Sequence, residues 1–251
     1  MKIIGIIPSR YASQRLPAKS LADIHGKPMI QHVVERAKSS RLLTNVIVAT
    51  DDERIVAAVK KFGGEAVMTP VTIQSGSDRI AFAARSLDAD IIVNIQGDEP
   101  LIEPKMIDQT IQILIDDADA VVSTAVKKIS MLGDLLTPNV VKVVLDQKNF
   151  ALYFTRSIVP FVRDSQEVTD WLKEAAFYKH FGLYVYRASF LQKFASLKPT
   201  RLEQIEKLEQ LRILEHGYRI KVAVTEYDSI PVDTQEDLDR VRAKFKIQNS
   251  K

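Results

Sequence analysis

The 251-residue chain has no cysteine. That excludes disulfides, thiolate nucleophiles and Cys-based zinc sites at once, and it fits a reducing compartment. Histidine is scarce: the four residues, His25, His32, His180 and His216, show no pair at metal-ligand spacing. Ser13, Ser75 and Ser77 have no His-Asp partners that the sequence can establish, so a serine triad is not supported. No Gly-x-x-x-x-Gly-Lys-Ser/Thr loop occurs, nor any internal repeat or low-complexity stretch. The apolar opening, Met1 to Pro8, is too short for a signal peptide or a membrane span. It reads as a buried strand, and the cytoplasm is the expected compartment. Charge of one sign is also lacking: 35 Lys and Arg against 32 Asp and Glu give a net charge of +3. With acids and bases interspersed, neither a nucleic acid nor a membrane is an expected partner.

A hydrophobic fraction of 46% is enough for a sizeable core, and 27% charged residues is ordinary for a globular domain. In the first half, β-branched runs at Ile3–Ile7, Val46–Ala49, Ala66–Met68, Ile91–Ile95 and Ala120–Val126 predict strands. Helical patterns at Met29–Ser39, Asp52–Phe62, Ser77–Leu87 and Pro104–Ile115 lie between them. Continuous apolar strands joined by helices predict a doubly wound α/β fold with a mostly parallel sheet. The second half predicts strands at Val140–Leu145, Ala151–Thr155, Gly182–Tyr186 and Ile220–Val224. Its expected helices are Ser189–Ser196, Leu202–His216 and Gln235–Phe245, with Arg163–Trp171 a loop. Leu202, Ile205, Leu208, Leu211 and Leu214 are expected to face the core. No linker separates two domains, so residues 1–251 read as one domain with a C-terminal elaboration.

Ligands of open parallel sheets bind beyond the carboxyl ends of the strands. The segments after the first four strands are polar: residues 8–19, Thr50 to Arg54, Gln74 to Arg79 and Gln96 to Pro100. In the first, Arg10, Arg15 and Lys19 repel one another unless an anion lies among them. A polyphosphate supplies that charge; a solvated basic loop is the alternative. Asp98, at a strand end beside Gly97, is placed to hold Mg²⁺, which takes one or two carboxylates plus phosphate oxygens. Its alternative role, and that of Glu99, is a cap or salt bridge. Asp233 precedes a helix and is either a second metal ligand or an ordinary cap, with Thr234 or Asp233 as the N-cap. Among the histidines, His180 stands out beside Lys179 at the start of an apolar strand.

The same residues carry a resemblance across nearly the whole chain. In order they are Ile7-Pro8-Ser9-Arg10-Tyr11, Arg15-Leu16-Pro17-x-Lys19, Gly26-Lys27-Pro28-Met29-Ile30, Ala49-Thr50-Asp51-Asp52, Ser75-Gly76-Ser77-Asp78-Arg79 and Gln96-Gly97-Asp98-Glu99-Pro100. Further on come Pro138-Asn139-x-Val141-Lys142, Ala151-Leu152-Tyr153-Phe154-Thr155-Arg156, Tyr178-Lys179-His180, Leu208-Glu209-Gln210-Leu211-Arg212 and Val232-Asp233-Thr234-x-Glu236-Asp237-Leu238. This ordered set resembles the CMP-Kdo synthetase (3-deoxy-manno-octulosonate cytidylyltransferase) family. One such motif is shared with other nucleotidyltransferases; the ordered set is specific.

The resemblance implies a nucleotidyltransferase fold, a homodimer, and CMP transfer from CTP to Kdo for lipopolysaccharide biosynthesis. The nucleotide-binding half is then about 1–126, and the sugar-binding and dimerisation half about 127–251. CTP is expected on Arg10, Arg15, Lys19, Ser75 and Gly76, with Arg10, Lys19 and Asp98 catalytic. Mg²⁺ is expected on Asp98 and Asp233. The sugar is expected against Arg79, Gln96, Arg156, His180, Tyr184, Glu209 and Gln210. Arg156 is the candidate for the sugar carboxylate, because a guanidinium matches a carboxylate in a fork. Two positions depart from the family. Ala18 replaces a common glycine, so positive φ is not expected there. Ile73 replaces a common histidine, which leaves open a modified octulosonate such as the 8-amino form; the nearest rival reading is a cytidylyltransferase for a sialic-acid-like sugar. A non-catalytic nucleotide-binding protein is the alternative from another class.

Overall fold

The computed structural model of the protein describes residues 1–12, 16–73 and 75–248. The chain divides into two compact units. The first comprises Met1–Asp108, Tyr186–Ala195 and Asp228–Lys251; the second comprises Gln109–Val185 and Ser196–Tyr227.

The first unit opens with β1 (Ile3–Ser9), a short hairpin of β2 (Asp23–Ile24) and β3 (Lys27–Pro28), and α1 (Met29–Lys38). It continues with β4 (Asn45–Thr50), α2 (Glu53–Lys61), β5 (Glu65–Met68), α3 (Gly76–Ala84) and β6 (Ile91–Asn94). The strands run parallel in the order β6-β1-β4-β5. Gly5 of β1 faces Val93 on one side and Val46 on the other. A parallel sheet covered on both faces needs strands apolar on both faces. β1 and β6 meet that need: Ile3, Ile4, Ile6, Ile7, Ile91, Ile92 and Val93 are all buried. Helices α2 and α3 start on side-chain caps: Asp52 accepts from Arg54 N at 2.9 Å, and Ser75 accepts from Asp78 N at 3.0 Å.

Helix α4 (Pro104–Asp116) leads into the second unit. There follow β7 (Val122–Lys128), α5 (Leu132–Leu136), β8 (Lys142–Leu145), β9 (Ala151–Thr155), α6 (Trp171–Glu174) and β10 (Tyr178–Arg187). Helix α7 (Ala188–Ser196) comes next, then α8 (Arg201–Glu206), α9 (Gln210–Glu215) and β11 (Ile220–Val224). β11 runs parallel to β7, while β8 pairs antiparallel with β9 and β10. The last helix, α10 (Gln235–Gln248), belongs to the first unit. It supplies Leu238, Val241 and Phe245 to a cluster with Ile24, Met29, Leu101 and Val232.

The predicted α/β pattern is observed, with three local corrections. The expected helix 202–216 is two helices, α8 and α9, broken at Lys207, which is left-handed at φ 55°. Its apolar residues recur every three positions, which drifts about 60° per step around a 3.6-residue helix. One straight helix cannot keep five such residues on one face. After the break Leu208 and Leu211 are buried, whereas Ile205 is 66% exposed, so the stripe is not uniformly core-facing. The expected loop 163–171 contains a 3₁₀ turn at Val168–Asp170, and Trp171 opens α6. Trp171 is buried in a cluster with Ile129, Leu135 and Phe177, its indole N–H donating to Ser165 O at 3.2 Å. Finally, Ala18 adopts φ 53°, ψ 30°, against the expectation that Ala there avoids positive φ. Ala18 holds the left-handed conformation despite its Cβ, and its N–H donates to Tyr11 O at 3.3 Å.

Candidate active site

Three segments remote in sequence meet in the first unit. β1 ends at Ser9, whose buried hydroxyl donates to Ser20 Oγ at 2.6 Å and pins the two ends of the first loop. Gly97 lies so close to this strand end that a Cβ would stand 2.7 Å from Pro8 O. Only glycine fits, which brings Asp98 next to the loop. Val232 N donates to Asp98 O at 2.9 Å and ties in the segment before α10. Lys19 then lies between two carboxylates, with Nζ 2.7 Å from Asp98 Oδ2 and 3.1 Å from Asp233 Oδ1.

The cap beside Asp233 is set by Thr234. Thr234 Oγ1 accepts from Asp237 N at 3.2 Å, and Asp237 Oδ2 accepts from Thr234 N at 2.9 Å. Thr234 is therefore the N-cap of α10 in a reciprocal box, and the Asp233 carboxylate points to Lys19 instead. Burial alone would lower the Lys19 ammonium, but Asp98 and then Asp233 outweigh it and hold it above its ordinary value. Next door, Glu99 is pushed up to about 7 by burial and then by the Asp98 charge, with Ser229 opposing.

Among the described residues no group of three or more His, Cys, Asp or Glu gathers as a ready metal cage. The pair Asp98 and Asp233 nonetheless fits Mg²⁺. Its donors are hard oxygens, two in number, already converging on a cation, and Mg²⁺ completes its shell with water and phosphate oxygens.

Around this centre, Arg10 Nη2 donates to Ile73 O at 2.9 Å. The same carbonyl accepts from Arg79 Nη2 at 3.1 Å. Arg79 is fully buried, ion-paired with Asp51 at 2.7 Å and bonded to Thr69 Oγ1. Burial lowers its guanidinium below the ordinary value, with Asp51 opposing. Ser75 and Gly76 form the N-terminus of α3, whose amides face outward from its first turn. Tyr11 is covered by the Arg54 guanidinium at 3.3 Å from its ring centroid. Gln96 Nε2 contacts Asn94 Oδ1 at 3.3 Å. Arg15 lies outside the described residues.

The other predicted residues lie in the second unit. Arg156 Nε donates to Glu206 O at 2.8 Å and Nη1 to Pro138 O at 3.0 Å. Its backbone N–H is held by Glu206 Oε2 at 3.0 Å. Beside it Lys142 is fully buried, donating to Thr137 O and Val140 O at 2.9 and 2.8 Å. Burial, and then the Arg156 charge, lower the Lys142 ammonium. His180 and Tyr184 lie on β10 with ring centroids 5.3 Å apart, and Phe154 meets the imidazole edge-on at 5.0 Å. His180 Nε2 is 2.9 Å from Thr124 Oγ1, and burial lowers the imidazole to about 3. Glu209 precedes α9, and Gln210 opens it, buried. Sequence reasoning missed Thr124 and Glu206, the unseen partners of His180 and Arg156, and placed Asp51 in a strand-end motif without foreseeing its pairing with Arg79.

A cytidylyltransferase family model matches residues 4–220. The chain is 56% identical to the 3-deoxy-manno-octulosonate cytidylyltransferase of Geotalea uraniireducens, over 98% of this chain and 100% of that protein. It is 49% identical to the protein of the same name from Syntrophus aciditrophicus, over 96% of each. Among solved structures, that of CMP:2-keto-3-deoxy-manno-octonic acid synthetase complexed with CTP matches at TM-score 0.92 and 41% identity, covering 99% of this chain and 100% of the other. A 4-diphosphocytidyl-2C-methyl-D-erythritol synthase from Anaerococcus prevotii, at 14% identity and TM-score 0.63, shares the fold alone.

Proposed function

The chain belongs to the 3-deoxy-manno-octulosonate cytidylyltransferase family, and from that premise we propose that it transfers CMP from CTP to the anomeric hydroxyl of Kdo. The products are CMP-Kdo and pyrophosphate, the former for lipopolysaccharide biosynthesis. One observation carries the reading of the site: the Lys19 ammonium between Asp98 and Asp233, beside the loop that bears Arg10. Two acids and a movable cation suit a reaction in which a polyanion must be bound and pyrophosphate must leave.

Asp98 and Asp233 would hold Mg²⁺, which lowers the pKa of the attacking hydroxyl and neutralises phosphate charge. Lys19 exchanges its two carboxylates for the triphosphate when CTP enters. Arg10 and Arg15 add charge along the phosphates, and the amides at Ser75 and Gly76 add donors. These groups act by position and field, so no strong side-chain base is needed. Arg156 holds the sugar carboxylate, and Arg79, Gln96, His180, Tyr184, Glu209 and Gln210 complete sugar recognition. We read residues 1–251 as one nucleotidyltransferase domain, with the nucleotide-binding half about 1–126 and the sugar-binding half about 127–251.

We read the compartment as the cytoplasm; among the described residues no helix is long and apolar enough to cross a membrane. We expect assembly as a homodimer, as the family resemblance implies. The deciding experiment is pyrophosphate release with CTP, Mg²⁺ and a panel of sugar acids that includes Kdo, its 8-amino form and a sialic acid. Turnover is expected with CTP and Kdo, and loss in excess EDTA. Equal turnover with ATP, or activity indifferent to EDTA, refutes the proposal.

A further inference from the structure

His180 has a hydrogen-bond partner whose own chemistry decides which imidazole nitrogen carries the proton. Thr124 Oγ1 lies 2.7 Å from Leu183 O and 2.9 Å from His180 Nε2, with Phe181 O farther off at 3.4 Å. A carbonyl oxygen can only accept, and a hydroxyl has one proton to give. That proton goes to Leu183 O, the short contact. If it went to the imidazole, two oxygens would face each other at 2.7 Å with no hydrogen between them. Thr124 must therefore accept from the ring, and Nε2 must be the protonated nitrogen.

We propose that Thr124 is a positioning residue that locks His180 as the Nε2–H tautomer, so that Nδ1 is presented as a hydrogen-bond acceptor to a donor hydroxyl of the sugar. The use of this acceptor rests on the reading above that His180 meets the sugar; the tautomer rests on the Thr124 geometry alone. Nδ1 has no hydrogen-bond partner among the described residues. The ring is fixed in orientation by Phe154 at 5.0 Å and Tyr184 at 5.3 Å. Burial also disfavours the charged form, so the imidazole stays neutral and one nitrogen keeps its lone pair at working pH. A neutral acceptor among aromatic rings selects a hydroxyl and rejects a second carboxylate. It also gives the site a different partner for the hydroxylated part of the sugar from the cation that takes its acid.

Nitrogen-15 NMR of the ligand-free enzyme at neutral pH tests the tautomer, with His180→Asn identifying the His180 signals among the four histidines. Nδ1 is expected as a pyridine-type and Nε2 as a pyrrole-type nitrogen. The opposite pattern, an even mixture or a doubly protonated ring overturns the proposal. In parallel, Thr124→Val should raise the KM for Kdo about 3- to 10-fold, the scale of one neutral hydrogen bond, with the KM for CTP unchanged. Thr124→Ser, which keeps the hydroxyl, should restore both KM and spectrum. A valine variant that retains the Nε2–H spectrum overturns the role of Thr124. If the tautomer is as stated but His180→Asn leaves the Kdo KM unchanged, the sugar-site reading of His180 fails and the lock stands.

Discussion

Replacing Arg156 by alanine separates two uses of one guanidinium. A guanidinium has five N–H donors. Two of them are committed to protein, Nε to Glu206 O and Nη1 to Pro138 O. The second Nη1 proton and the Nη2 pair form the remaining two-pronged edge, the geometry that a carboxylate matches. Removing that edge should cost the sugar a charge-assisted contact of roughly 1.5–3 kcal/mol. At about 1.4 kcal/mol per tenfold, the loss in kcat/KM for Kdo is about 10- to 100-fold. The two carbonyl bonds are worth roughly 1 kcal/mol each, so melting should fall as well, by about 4–8 °C for a chain of this size. Relief of the Lys142 ammonium from a neighbouring like charge returns part of that loss. The melting curve therefore does not decide the matter; the split between substrates does. Separate titrations of CTP and Kdo should give a raised KM for Kdo and a nearly unchanged KM for CTP. Arg156→Lys should recover only part of the loss, because an ammonium cannot form the fork. Equal losses for both substrates would show that Arg156 only braces Pro138 and Glu206, and would remove it from the sugar site.

Asp98→Asn keeps shape but removes the charge opposite Lys19, and kcat should fall about 10²-fold or more; a folded, nearly fully active variant would exclude Asp98 from metal binding. The same variant should melt within about 4 °C of the parent, since a partly exposed ion pair is worth roughly 1 kcal/mol or less. Ala18→Gly should raise the melting temperature by about 1–4 °C without loss of turnover. It relieves a left-handed alanine costing roughly 1–2 kcal/mol, against about 0.4–1 kcal/mol of added chain entropy; a lower melting temperature would refute the strain. At Glu203, burial alone would raise the carboxyl, but Arg212 and the Thr200 N–H overcome it and hold it below its ordinary value of 4.5. A depressed folded value means that the stability is full above the unfolded value and is lost as pH falls through the folded one. The melting deficit of Glu203→Gln should therefore be largest near neutrality and shrink below pH 4.5; a deficit independent of pH would refute the ion pair.

The parallel strands and their helices were legible because burial on both faces writes itself as unbroken apolar runs, as in Ile3–Ile7 and Ile91–Ile95. Lys19, Asp98 and Asp233 were legible as separate strand-end signals, and their meeting was expected only through the family resemblance, since spacing does not show the Val232 to Asp98 bond or Thr234 taking the cap. The break at Lys207 was misread because helical spacing was counted in threes without following the drift it produces. Ala18 was misread because residue preference was taken as a guide to φ, whereas the alanine holds the left-handed conformation despite its Cβ. Thr124 gave no signal at all: a threonine in an apolar strand is ordinary until the strand beside it is known.

Asp233 stands 214 residues after Lys19, its partner. The chain also passes between its two units four times, at 108/109, 185/186, 195/196 and 227/228. During synthesis at the ribosome these facts set an order of events. Lys19 and Asp98 emerge early and can pair, yet the second acid is delivered only with the segment that returns to the first unit at Asp228. A nascent chain halted anywhere before that return has one carboxylate where the proposed site has two. On the proposed reading of the site, catalytic competence waits for that returning segment, whatever else of the chain has already folded.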